Sequence, residues 1–303
     1  MKNANNDLIS IITPTFNRFD FIRDAIESVL TQTISNWELL IIDDGSTDDT
    51  KTVVASYLSD PRINYFFQDN QGQATARNNG LMHSKGQYIC FLDSDNLWKP
   101  KKLEIQYESM VSNNNIDVVY SDAETINESG EVISTANMKR YSGNITEQLL
   151  RDNFVSFNTA MVRTACIKGI GGFDNSVRFG DDYDLWLRLS AESRFLYIPE
   201  VFEQYRVMSD QISSNKEARF SSNKATVERF LSKNPGIVSQ RAIKIGYSAF
   251  YVRRGRYRLG QLRYLLAMRD FLHALRYTPF GVNVWRALVK WFLFAAGLGR
   301  SRE

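Results

Sequence analysis

The stretch Tyr88-Ile-Cys-Phe-Leu-Asp-Ser-Asp-Asn-Leu-Trp98 carries the decision on this fold. It opens with an unbroken apolar and aromatic run, the pattern of a strand covered on both faces rather than the alternation of a half-exposed one. Strands of that kind belong to sheets flanked on both sides by helices. The run leads directly into Asp93 and Asp95, with no cation before Lys99. Two carboxylates held side by side repel unless something positive lies between them. A solvated turn is the simplest reading, since Asp, Ser and Asn are ordinary turn residues. A calcium loop counted from Asp93 would put Glu104 at its twelfth position, but Leu97 and Trp98 occupy the fifth and sixth, where a ligand and a glycine belong. The remaining reading is a divalent ion shared between carboxylates and a substrate's phosphates.

Outward from this strand, residues 1–120 alternate strand and helix patterns. "LISIIT" (8–13), "ELLIID" (38–43), "INYFF" (63–67), "QYICFL" and "DVVY" (117–120) read as strands. Between them lie helical patterns: "FIRDAIESVLTQ" capped by Asp20, a helix from a Ser46/Asp49 capping box to about Leu58, one over 73–84, and one from Pro100 to about Val111. Repeated βα units predict a mostly parallel sheet with helices on both faces, and such sheets bind ligands beyond the carboxyl ends of their strands. Those ends are polar: Thr13-Pro-Thr-Phe-Asn17, Asp43-Asp44-Gly-Ser46 and Asp93-Ser-Asp95, with Arg77 after the third strand. Carboxylates, an arginine and a metal on one edge suit a ligand that carries hydroxyls, a base and a diphosphate. An aspartyl-nucleophile loop does not fit, because Ile42 stands at its nucleophile position. No G-x-x-x-x-G-K-[ST] or G-x-G-x-x-G follows any strand.

Bulk composition agrees with a protein of a reducing compartment. The chain has 303 residues, 43% of them hydrophobic, enough for one large or two modest domains. Two cysteines, Cys90 and Cys166, offer no disulfide framework, and with His83 and His273 they match no zinc spacing. The first residues lack the apolar core of a signal peptide, and no uncharged apolar run reaches spanning length. The expectation is a cytoplasmic protein, at most peripheral on the inner face of the membrane. The net charge of +3 is unevenly spread: residues 241–303 carry 13 Lys+Arg against 2 Asp+Glu, a net of +11 over a body of −8.

Taken together, "ISIITPTFNR", "LLIIDDGSTDDT", "GQATARNNGL", "GQYICFLDSDN" and "GIGGFDNSVRFGDDYDLWLRL" keep the order and spacing of a known set of motifs across 8–208. The chain resembles the family 2 glycosyltransferases of GT-A fold. That resemblance implies an α/β fold with a Rossmann-like, mostly parallel sheet, and an inverting transfer of sugar from a nucleotide-sugar donor, UDP-linked by preference. Thr15 and Asn17 match the first nucleotide-contacting loop, Asp44 the residue bonded to the base, and Arg77 the nucleotide-side arginine. Asp93 and Asp95 match the DxD motif, with Asp95 the metal ligand and Mn²⁺ or Mg²⁺ the ion. Asp182 matches the general base, and Asp181 stands where Glu is common; a capping role for either acid is the structural alternative. Two departures stand out. Met208 replaces the His that commonly follows the Arg of "QYRVMSDQIS", and the Gln-x-x-Arg-Trp motif of processive synthases is absent. A single sugar per cycle is therefore expected, passed to a hydroxyl of a glycan or lipid-linked acceptor in cell-surface polysaccharide synthesis.

The catalytic domain is expected over 1–215 and a basic all-helical extension over 216–303. Within the extension, about 248–281 resembles one tetratricopeptide-like hairpin through Gly255, Ala267, Phe271, Ala274 and Pro279. The stretch 283–299 reads as an amphipathic helix with Arg286 and Lys290 on one face. It packs on the protein or lies on an anionic membrane, and the tail 241–303 could equally meet a protein partner; no nucleic-acid partner is expected. The reading from a different class is a non-catalytic nucleotide-sugar-binding or scaffolding protein recruited through this tail.

Overall fold

The computed structural model describes residues 7–135, 138–208, 215–296 and 298. The elements follow in the order β1 (Ile9–Thr15), α1 (Phe19–Leu30), β2 (Trp37–Asp43), α2 (Thr50–Ala55), β3 (Ile63–Phe67), α3 (Gln73–His83), β4 (Tyr88–Phe91) and β5 (Leu97–Trp98). Next come α4 (Lys102–Ser112), β6 (Val118–Ile126), β7 (Val132–Thr135), α5 (Thr146–Leu149), β8 (Met161–Arg163), α6 (Thr164–Gly169), α7 (Asp181–Ser190) and β9 (Phe195–Arg206). The last helices are α8 (Lys216–Lys233), α9 (Gln240–Gly260), α10 (Tyr264–Tyr277) and α11 (Val282–Ala295).

Among the described residues the strands form one sheet in the order β3-β2-β1-β4-β8-β6-β9-β5, with β7 paired to β6. The first four are parallel, as the βα repeats predict. Beyond β4 the sheet is mixed: β8 runs antiparallel to β4 and β6, while β6 and β9 are parallel. Every residue of β1, β2 and β4 is buried, including Ser10 and Glu38, whose side chains bond to each other at 2.6 Å. Ile9, Ile11, Leu39, Ile41 and Cys90 face a core filled by Ile22, Ile26 and Val29 of α1 and by Leu103 and Met110 of α4. On the opposite face α3 lies hard against β1, because a Cβ at Gly80 would stand 2.4 Å from Ile12 Cγ2.

Local signals in the sequence misplace several helix starts. Helix α1 begins at Phe19 with Arg18 in the capping position, so Asp20 lies inside its first turn. The Phe19 amide is taken by Asp48 Oδ2 at 3.2 Å, a partner from the next loop. The Ser46/Asp49 capping box does not form: α2 is a short helix whose Thr50 amide donates to Asp48 Oδ1, and Ser46 Oγ accepts from Asn17 N instead. Helix α4 starts at Lys102, after a turn through Pro100.

The chain divides into two compact units, Met1–Asn144 with Phe154–Ser222, and Ile145–Asn153 with Asn223–Glu303. In the second unit Gly255 leaves room for the Phe271 ring, which would lie 2.5 Å from a Cβ there. Asp270 is buried between Arg254 and Arg258, at 2.6 and 3.0 Å. Helix α11 turns Val284 and Ala287 inward, and Trp291 Nε1 donates to Tyr264 O at 2.8 Å. Trp291 and Phe294 are thus half-buried, while Val282, Trp285, Val289 and Phe292 form the exposed apolar stripe. Residue 299, the expected end of this helix, lies outside the described residues. No helix of the described residues is long and apolar enough to cross a membrane.

Candidate active site

The carboxyl ends of β1, β2 and β4 bring their loops to one edge of the sheet. Thr15 is the last residue of β1, and its Oγ1, like that of Thr13, is buried with no hydrogen-bond partner among the described residues. A buried hydroxyl without a partner costs stability unless a ligand or water completes it. Asn17 adopts φ of +49°, and this left-handed turn aims its side chain at the next loop. There Asn17 Oδ1 accepts from Thr47 N at 2.8 Å, while its own amide donates to Ser46 Oγ at 2.9 Å. The loops after β1 and β2 are thereby tied together.

Asp44 is buried and serves as a hub for the loop after β3. It accepts from Gln68 Nε2 at 2.7 Å, Gln71 N at 2.9 Å and Gly72 N at 2.8 Å, the last just ahead of α3. Asp43 takes Ser46 N at 2.7 Å and the Tyr65 hydroxyl at 2.6 Å. Burial first, then this carboxylate, raise the Tyr65 phenol well above its ordinary range.

Arg77, on α3, joins the DxD turn to the start of α7. Its side chain is 3% exposed; Nη2 donates to Asp93 Oδ1 at 2.8 Å and Nη1 to Asp181 Oδ2 at 2.5 Å. The guanidinium also lies over the Phe157 ring at 4.0 Å. Burial pulls the Arg77 pKa down, but the charges of Asp181 and Asp93 more than reverse it and leave it raised. The positive charge called for beside the strand-end carboxylates is, for Asp93, this arginine. Asp182 follows in the first turn of α7, half-buried, after Gly180 at φ of +74°. One turn on, Trp186 is fully buried, packed against Phe157 and Phe195.

Asp93 and Asp95 are both half-buried in the β4–β5 turn. No third His, Cys, Asp or Glu joins them into a metal-holding group among the described residues. Two carboxylates in one turn suit an Mg²⁺- or Mn²⁺-type ion that completes its shell with phosphates and water. Met208, where a His is common, is buried, and its thioether is too soft to serve such an ion.

Arg206 enters the sequence only as the Arg ahead of Met208, and Asn158, Glu203 and Lys102 carry no motif at all. Arg206 of β9 donates through Nε to Asp95 O at 3.0 Å and through Nη1 to Glu128 O at 2.6 Å, and its amide donates to Asn96 Oδ1 at 2.8 Å. Asn158 bridges Asp93 and Glu203, the latter 2% exposed. Burial above all, with the charges of Asp93 and Asp95, pushes the Glu203 carboxyl up to about 7, against the pull of Asn158 and Lys102. Lys102 is fully buried over the Trp98 ring, and burial holds its ammonium below the ordinary range. Nothing short-range marks Asn158, Glu203 or Lys102: β9 also carries Glu200, Gln204 and Arg206, so one more acid in it does not stand out.

Comparison with known proteins points to one family. The family model described as glycosyl transferase family 2 matches residues 10–170. An uncharacterised glycosyltransferase of Rickettsia conorii is 37% identical over 203 residues, covering 67% of this chain and 33% of the relative. The chain spans about a third of the length of that relative and of two from Rickettsia felis and Rickettsia bellii. The Escherichia coli UDP-Glc:alpha-D-GlcNAc-diphosphoundecaprenol beta-1,3-glucosyltransferase WfgD is 35% identical over 212 residues, 69% of this chain and 81% of the relative. Among solved structures, the Pyrobaculum calidifontis mannosyltransferase PcManGT with GDP-Man and Mn²⁺ superposes with a TM-score of 0.58 at 17% identity, covering 94% of this chain and 86% of that one.

Proposed function

The chain belongs to glycosyl transferase family 2, and on that footing we propose that it is a metal-dependent inverting enzyme. It moves one sugar per cycle from a UDP-sugar to a hydroxyl of a glycan or lipid-linked acceptor in cell-surface polysaccharide synthesis. The observation that carries this reading is the Arg77 bridge, which draws Asp93 of the DxD turn and Asp181 beside Asp182 onto one buried cation. WfgD, whose donor is UDP-Glc and whose acceptor is diphosphoundecaprenol-linked, supports the donor nucleotide and the acceptor class. The Mn²⁺ held by PcManGT supports the metal.

In this reading residues 1–215 are the catalytic domain. Thr15 and Asn17 line the nucleotide loop and Asp44 meets the base, while Arg77 with Asp93 borders the diphosphate. Asp95 and Asp93 would hold Mn²⁺ or Mg²⁺, which supplies Lewis-acid stabilisation of the charge growing on the leaving diphosphate. Asp182 takes the acceptor hydroxyl's proton on the opposite face. Residues 216–303, read as a basic tail with a tetratricopeptide-like hairpin, place the enzyme at the inner face of the membrane through an anionic lipid surface.

The test is calorimetry of UDP binding with and without Mn²⁺, beside a screen of UDP-sugars for slow metal-dependent hydrolysis. Metal should strengthen UDP binding to the wild type and leave binding to Asp95→Ala unchanged. A metal effect of the same size in both proteins would reduce Asp95 to a turn residue.

A further inference from the structure

Asp93 is held from behind by a side chain that belongs to no motif. Asn158 sits in the turn Phe157–Thr159 and is 2% exposed. Its Oδ1 accepts from Asp93 N at 2.8 Å, and its Nδ2 lies 3.3 Å from Asp93 Oδ2 and donates to Glu203 Oε1 at 2.8 Å. Its backbone carbonyl takes the Trp98 indole at 2.8 Å, so the turn carrying it is itself anchored. Glu203 lies directly across from Trp98 in the β5–β9 pairing. It is buried among these groups and exposed to no solvent that could replace its bond to Asn158.

An amide presents an acceptor at one end and donors at the other. At Asn158 only one orientation works, with Oδ1 facing the Asp93 amide and Nδ2 facing the two carboxylates. Turned over, it would set Nδ2 against the Asp93 N–H and its oxygen against Glu203. The Asp93 N–H excludes the turned-over form, and the buried Glu203 holds Nδ2 in the orientation that remains. A carboxylate positioned within tenths of an ångström needs this kind of support from behind, as the ligands of metal sites do.

We propose that Glu203 is a positioning residue: through the Asn158 amide it sets the backbone and carboxylate of Asp93 for the metal–diphosphate group. The inference deepens the proposed function and rests on it for the identity of that group. The experiment separates the two. Hydrogen exchange at the Asp93 amide reports the clamp directly, with no donor, metal or turnover involved. Glu203→Leu keeps the bulk and removes the acceptor, and should speed exchange at Asp93 at least tenfold while amides of β1 and β2 stay as protected as before. Glu203→Gln, which can still accept from Asn158, should restore protection. Binding of Mn²⁺–UDP should weaken about tenfold in Glu203→Leu and recover in Glu203→Gln, with metal-free UDP binding within twofold of wild type throughout. If Glu203→Leu does not fold, Asn158→Ala is read at the same amide with the same expectation.

Unchanged exchange at Asp93 in both variants overturns the proposal whatever the activity. Faster exchange with unaltered Mn²⁺–UDP binding, in a wild type whose binding does depend on metal, overturns the positioning of the ligand. A wild type with no metal dependence refutes the proposed function instead, and the exchange data still decide the clamp.

Discussion

Arg77 shows what single residues contribute here. Buried cations are costly unless paired, and this one is paired twice, with Asp93 and Asp181. Asp182 lies beside Asp181 in the first turn of α7 and is the acid proposed for proton transfer. Asp182→Asn keeps shape and cannot accept the proton, so transfer should fall by ~10²–10⁴-fold while UDP affinity barely moves. Retained transfer in steady-state assays would move the role to Asp181 or Asp184.

Glu203 gives a second test at the same scale, in stability rather than turnover. Its carboxyl titrates near 7 in the fold against an ordinary value of 4.5. The folded state therefore holds a proton that the unfolded chain has released, and this contribution is fully present below 4.5 and lost as pH rises through about 7. The loss amounts to roughly 3 kcal/mol, taking about 1.4 kcal/mol for each unit of pKa. Denaturant melts between pH 4.5 and 8 should show that decline in the wild type and a flatter profile in Glu203→Gln. Parallel profiles would mean that Glu203 titrates normally.

At the scale of elements, the site depends on how closely α3 approaches β1. Gly80 permits that approach, since an added Cβ would stand 2.4 Å from a branch methyl of Ile12, which packing holds in place. Gly80→Ala should destabilise the protein by ~1–3 kcal/mol, as overpacked cores do. Combined with Ile12→Ala the losses should not add, because the second change opens the space that the first overfills. Additive losses in the double-mutant cycle would place the strain elsewhere. The same helix carries Arg77, so the Gly80→Ala backbone shift should also weaken Mn²⁺–UDP binding. The helix starts carry a related lesson. Asp20, Ser46 and Asp49 are all sound capping residues, yet the amide at the start of α1 goes to Asp48 from the neighbouring loop. Capping propensity acts within a few residues, whereas the loops after β1 and β2 compete for the same donors across the sheet edge.

The whole molecule joins an acidic body to a tail with a net charge of +11 over 241–303. On α11 the exposed stripe of Val282, Trp285, Val289 and Phe292 is flanked by exposed Arg286 and Lys290. Apolar side chains with a basic edge match an anionic bilayer, each cation near the surface contributing about 1 kcal/mol, fading over a Debye length. The protein should float with anionic liposomes at low salt and less at high salt. Val289→Glu with Phe292→Glu should abolish flotation without lowering the melting temperature, since both side chains point away from the tail's own core. Flotation unaffected by the pair, or absent in the wild type at low salt, would end the membrane reading.

What the sequence determined by itself was periodic or adjacent. Unbroken apolar runs and βα alternation announced the parallel half of the sheet, and the polar strand ends marked its working edge with Thr15, Asp44 and Asp93. The small-residue pattern of the tail announced helices. Each of these signals is carried by residues within one or two turns of chain, where side-chain period and burial are directly coupled. Tertiary structure alone decided that Arg77 would find Asp181, that β8 and β5 would turn the sheet from parallel to mixed, and that Glu203 would reach Asp93 through Asn158. Those partners lie 104, 65 and 45 residues apart along the chain. At such separations no local preference acts; the register of β9 and the docking of α7 put the groups together. Burial then makes each polar pairing obligatory, because no water remains to replace a missing partner.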